Sequence, residues 1–156
     1  MKRVQPKTSA ELNVIIRNTI KKYGNNCDLN FIDTSKIEDM SFLFYGRNFI
    51  GDISKWDVSN VKDMSFMFND TIFNGDISNW DVSNVENMHD MFSFSKFQGD
   101  ISKWDVSNVK SMSGMFWNSI FNGDISNWDV SNVEYMCGMF ENSKFQGDIS
   151  KWDVSN

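Results

Sequence analysis

Apolar and polar positions recur along most of this chain with a period of 24 residues. Trp56, Trp80, Trp104, Trp128 and Trp152 mark the step, and Gly51, Gly75, Gly99, Gly123 and Gly147 keep it. Met64, Met88, Met112 and Met136 do the same, as do Phe68, Phe92, Phe116 and Phe140. One unit reads G-D-I-S-x-W-D-V-S-N-V-x-x-M-x-x-M-F-x-x-x-x-F-x. An earlier, degenerate unit aligns through Leu29, Ile32, Ile37, Met40, Leu43, Phe44 and Phe49. A period of 48 lies over this one, because Lys55, Lys103 and Lys151 alternate with Asn79 and Asn127. Residues 51–98 therefore read as a duplicate of 99–146.

Within a unit, Ile53-x-x-Trp56-x-Val58 has the spacing of a leucine-rich repeat strand. Val61, Met64, Met67 and Phe68 follow at helical spacing, which predicts a short helical turn opposite that strand. Asn74-Gly75, Gln98-Gly99, Asn122-Gly123 and Gln146-Gly147 supply the turn into the next unit. The predicted fold class is an α/β repeat. It is a right-handed, leucine-rich-repeat-like solenoid of about six coils, with a parallel β-sheet on one face and short helical turns on the other. Stacking would turn the Trp, Met and Phe columns into core ladders. The column Asn60, Asn84, Asn108, Asn132 and Asn156 would hydrogen-bond between coils.

The first residues follow another rule. Thr8-Ser9-Ala10-Glu11 reads as a capping box, and Leu12, Ile15, Ile16, Ile20 and Tyr23 share one helical face. Gly24 suits the left-handed stop. The chain thus divides into an N-terminal capping helix segment, 1–26, and a solenoid of 24-residue units, 27–156. The last unit ends at Trp152-Asp153-Val154-Ser155-Asn156, which leaves an uncapped C-terminal coil as a place for self-association.

The repeated units resemble the BspA-like leucine-rich repeats of bacterial surface proteins and mycoplasma-type lipoproteins, over about residues 27–156. The resemblance implies a solenoid that binds macromolecules, and attachment to host surfaces in relatives with export signals. It implies no enzyme activity, no cofactor and no fixed catalytic residues.

Charge narrows the partners. Residues 1–26 carry six basic side chains and one acidic one, for a net +5. The rest carries nine basic against 20 acidic, for a net −11. An acidic body disfavours direct nucleic-acid binding and favours a protein with a basic surface. No apolar run long enough for a membrane helix is present. The basic start is followed by no apolar export segment. The expected placement is cytoplasmic, with the cell surface as alternative if the natural chain is longer. The expected function is non-enzymatic binding of a macromolecule: an intracellular inhibitor docking its acidic face on a basic nucleic-acid-handling or defence protein. A bacterial surface adhesin, or a fragment of one, is the alternative.

Two surfaces are candidates for that docking. Asp57, Asp81, Asp105, Asp129 and Asp153 alternate with inward residues and are read as a solvated acidic stripe. Positions that vary between units are free of the coil's own demands. They carry Tyr45, Phe94, Trp117 and Tyr135, side chains of the kind found at interface hot spots. The second aspartate column, Asp52, Asp76, Asp100, Asp124 and Asp148, is read as capping local amides rather than holding calcium, so no metal is expected. A distant third reading, an enzyme using His89 and the neighbouring Ser113, lacks any legible oxyanion site. Cys27 and Cys137 stand too far apart along the stack to form a disulfide.

Overall fold

The computed structural model describes residues 2–155; Asn156, the last of the asparagine column, lies outside them. Helix α1, Ser9–Tyr23, is the one regular element among the described residues. Its N-cap is Thr8, whose side chain accepts the Glu11 amide. The Glu11 carboxylate reaches one residue further back than a capping box requires and accepts the Lys7 amide at 2.7 Å. Gly24 ends the helix at φ 89° and ψ 171°, a backbone region open essentially to glycine alone. Leu12 and Ile16 are fully buried and belong to the same core as Leu29 and Ile32 of the first unit. Ahead of the helix, Val4 pairs in parallel with Ile32.

The expected parallel-sheet solenoid is not what the chain forms. Among the described residues no strand develops; parallel pairing is limited to isolated bridges such as Asp39 with Asp63 and Asp63 with Asn87. The segment read as a strand is a turn, with the Trp56 amide donating back to the Ile53 carbonyl at 3.1 Å. The segment read as a helical turn is not helical either. The amides of Met64, Phe66, Phe68 and Asp70 donate to the carbonyls of Asn87, His89, Met91 and Ser93 in the next unit. Between those bonds the chain curls on itself, Met67 to Met64 and Asn69 to Phe66.

Backbone dihedrals explain why this bonding builds no sheet. Phe42, Phe66, Asp90, Gly114 and Gly138 all have φ between 52° and 64°. Gly46, Asp70, Phe94, Asn118 and Asn142 are left-handed as well, at 51° to 62°. Two left-handed residues four positions apart in each unit break the extended geometry a strand needs. Seven of these ten residues are not glycine, so the stack imposes the conformation against an intrinsic cost of about 1–2 kcal/mol each.

The periodic apolar residues form one continuous core. Phe44, Phe68, Phe92, Phe116 and Phe140 stack face to face at 5.6–5.8 Å between neighbours. A second Phe column, from Phe49 through Phe145, runs beside it at 6.0–6.4 Å. Each tryptophan of the 24-residue column is buried or partly buried, and its indole Nε1 donates to a backbone carbonyl of the preceding unit: Trp80 to Ile53, Trp104 to Ile77, Trp128 to Ile101. Outside the core, Asn84, Asn108 and Asn132 donate to the carbonyls of Ser59, Ser83 and Ser107. These bonds join units even though the asparagines are exposed.

Candidate binding face

The aspartate stripe is exposed, but it is not simply solvated charge. Oδ1 of Asp57, Asp81, Asp105 and Asp129 accepts both the amide and the hydroxyl of the serine two residues on, the hydroxyl at 2.6 Å. Asp153 accepts the Ser155 amide in the same way. Each aspartate thus closes a local turn with one oxygen. The second column does the same work, Asp76 with Ser78 and Asp100 with Ser102. Asn87 takes this role in a third column, accepting the His89 amide, so a neutral oxygen can close the same turn. Among the described residues no three His, Cys, Asp or Glu side chains converge as a metal site would require.

These bonds favour the ionised form. The Ser83 hydroxyl and amide hold the Asp81 carboxyl below its ordinary value of 3.8, and Ser131 does so for Asp129. Asp76, Asp100, Asp124 and Asp148 are lowered by their own serines. A carboxyl depressed in the folded state contributes stability above its unfolded value, and loses it as pH falls through the folded one. The melting temperature should therefore hold from neutral pH down to about 5 and decline progressively below about 4. Thermal unfolding across that range checks this; a flat profile to pH 2 (about two units below the ordinary value) would mean the turns do not depend on charge.

The variable aromatics lie along the inter-unit hydrogen-bond ladder. Tyr45, Phe94, Trp117 and Tyr135 are 51%, 40%, 37% and 60% exposed. Phe94 and Trp117 meet edge to face at 4.9 Å. Tyr45 packs at 5.8 Å against Phe42, which stacks on Phe66 at 4.6 Å, and Phe66 meets His89 edge-on at 5.0 Å. Tyr135 stands apart; among the described residues no aromatic ring lies against it. Phe42 and Phe66 escape the reading from sequence. Their signal was present, since the column 42, 66, 90, 114 and 138 runs Phe, Phe, Asp, Gly, Gly and varies as a recognition position would.

His89, which meets Phe66 of the first aromatic group, lines one hollow together with Trp117 of the second. Its Nε2 lies 3.1 Å from Asp90 Oδ2, and Asp90 folds over the place a side chain at Gly114 would fill. There a hollow of about 340 Å³ opens, lined by His89, Asp90, Ser113, Trp117, Cys137 and Glu141. Ser113 and His89 share its wall, but among the described residues no hydrogen bond joins their side chains. His89 is turned to Asp90 instead. Cys137 is exposed, and Cys27 is buried, which pushes its thiol up.

The geometry defines a stacked-repeat protein with an exposed aromatic face and a continuous apolar interior. The family model described as "Mycoplasma protein of unknown function, DUF285" matches residues 14–119 and, again, 93–156. The chain belongs to that family. Comparison with curated proteins and with solved structures gave no match.

Proposed function

We propose that this is a non-enzymatic binding protein that holds a protein partner with a basic surface on its aromatic face. The observation that carries the reading is the run Tyr45, Phe42, Phe66 and His89, continued by Phe94 and Trp117. These rings are partly exposed and occupy positions the repeat leaves variable, so the fold does not account for them. Aromatic side chains with few rotamers carry much of the energy at protein interfaces. The net −11 of residues 27–156 supports a basic partner by steering encounter rather than by supplying most of the affinity. The resemblance of the repeats to BspA-like surface proteins supports the binding reading in general terms.

The test uses two variants as baits beside the parent. Phe94→Ala with Trp117→Ala removes the aromatic contact. Asp81→Asn with Asp105→Asn and Asp129→Asn removes charge while keeping the serine-accepting oxygen. Once a partner is captured, the aromatic variant should bind about 30-fold more weakly, the effect of a 2 kcal/mol hot spot. The Asn variant should bind more slowly at low salt and nearly as the parent at high salt. A partner held equally well by the aromatic variant would remove this face as the binding surface.

A further inference from the structure

The basic part of the chain plays no role in the aromatic face, and it is not scattered. Helix α1 presents Arg17 and Lys21 one turn apart, and the first unit brings Arg47 up beside them. Arg47 is half-buried and held in place, its Nη2 donating to Asn13 Oδ1 at 2.8 Å. Burial, and then the like charge of Arg17, pull the Arg47 guanidinium below its ordinary value. The exposed cations that do find a carboxylate lie away from this group, as in Lys110 with Glu86 at 2.8 Å and Arg3 with Asp33 at 3.0 Å. Among the described residues Arg17, Lys21 and Arg47 have no carboxylate partner. They surround a hollow of about 570 Å³ whose other polar walls are Asn18, Asn25 and Asn48, with Ile20 as its apolar side.

Two guanidinium groups and an ammonium gathered without a counter-charge, on a chain whose net charge is −6, constitute an anion site. Carboxamides add neutral donors and tolerate a bulky anion. Planar guanidinium forks match the oxygens of a phosphate better than a halide. The hollow is larger than one phosphate group, which leaves room for whatever is esterified to it. We infer that Arg17, Lys21 and Arg47 bind a phosphate-bearing ligand in this hollow. The shared chemistry is the phosphate monoester, carried by a soluble metabolite or by a lipid headgroup.

The experiment has two arms on the whole chain. In the first, thermal unfolding is followed in sodium phosphate and in sodium chloride at matched ionic strength. Phosphate should raise the melting temperature beyond chloride, since a ligand that binds only the folded state stabilises it. Arg17→Gln and Lys21→Gln lie at exposed positions and should fold normally while weakening phosphate about tenfold each. Arg47→Lys keeps the charge and loses the fork, and should also weaken it. In the second arm the protein is sedimented with phosphatidylcholine vesicles with and without phosphatidic acid. A phosphate effect without vesicle binding assigns a soluble ester, and Arg17-dependent binding to phosphatidic acid assigns a headgroup. The inference is overturned if neither probe acts, or if both act equally on the parent and on Arg17→Gln.

Discussion

Replacing Trp104 with alanine should lower the unfolding free energy by about 3–5 kcal/mol, the cost of emptying a large aromatic site in a packed core. Trp104 is 4% exposed and packs 6.3 Å from Phe92. Its neighbours in the stack are held by the inter-unit hydrogen bonds of adjoining segments, so the cavity cannot easily collapse. The indole also donates to the Ile77 carbonyl at 3.1 Å. Trp104→Phe separates the two effects. It keeps much of the ring area and loses that bond, and should cost about 0.5–1.5 kcal/mol for the bond beyond the lost area. The Ile77 carbonyl still accepts the Trp80 amide, which keeps this penalty modest. Denaturant unfolding of both variants beside the parent measures this. An alanine variant as stable as the parent would place the tryptophan column outside the core.

Gly51→Ala should be the most damaging glycine substitution, costing about 3 kcal/mol or more through overpacking. A Cβ there would sit 2.0 Å from the Cys27 backbone carbonyl and 2.7 Å from two ring atoms of Phe49. The carbonyl cannot step aside cheaply, because it accepts the Asp52 amide that joins the first unit to the second. Gly46→Ala is the matched control. Its Cβ would meet nothing within 4 Å, though φ is 62°. The same position holds Asp70, Phe94, Asn118 and Asn142 in later units at φ 51–55°, so a side chain there costs only about 1 kcal/mol. Equal melting temperatures for the two variants would show that the close approach at Gly51 does not constrain the fold.

The sequence by itself determined the unit length, the buried columns and the limits of α1. A 24-residue repeat leaves little freedom, because any side chain placed inward in one unit is placed inward in all of them. The helix is equally local: Thr8, Glu11 and Gly24 supply its ends within a few residues of the chain they cap. The asparagine column was legible for the same reason, as a polar residue repeated at a fixed place in every unit and bonded between units from Asn60 to Asn132.

What only the tertiary structure decided was which part of each unit bonds to its neighbour. Apolar spacing at Ile53–Val58 suits a strand, and at Val61–Phe68 a helical turn, yet both forms are overridden. The inter-unit bonds run through Met64–Asp70, with left-handed residues at Phe66 and Asp70 that no propensity predicts. Periodicity records which side chains point inward, and a pair of left-handed residues four apart in each unit meets that demand as well as a strand or helix does. The aspartate columns show the same limit. Their outward position was readable, but the serine bonds that occupy one oxygen of each arise from backbone torsion. The aromatic face follows from both. Variation between units marked Tyr45, Phe94, Trp117 and Tyr135. Only stacking brought Phe42, Phe66 and His89 into line with Tyr45 and left Tyr135 apart, because adjacency across units depends on which segment carries the inter-unit hydrogen bonds.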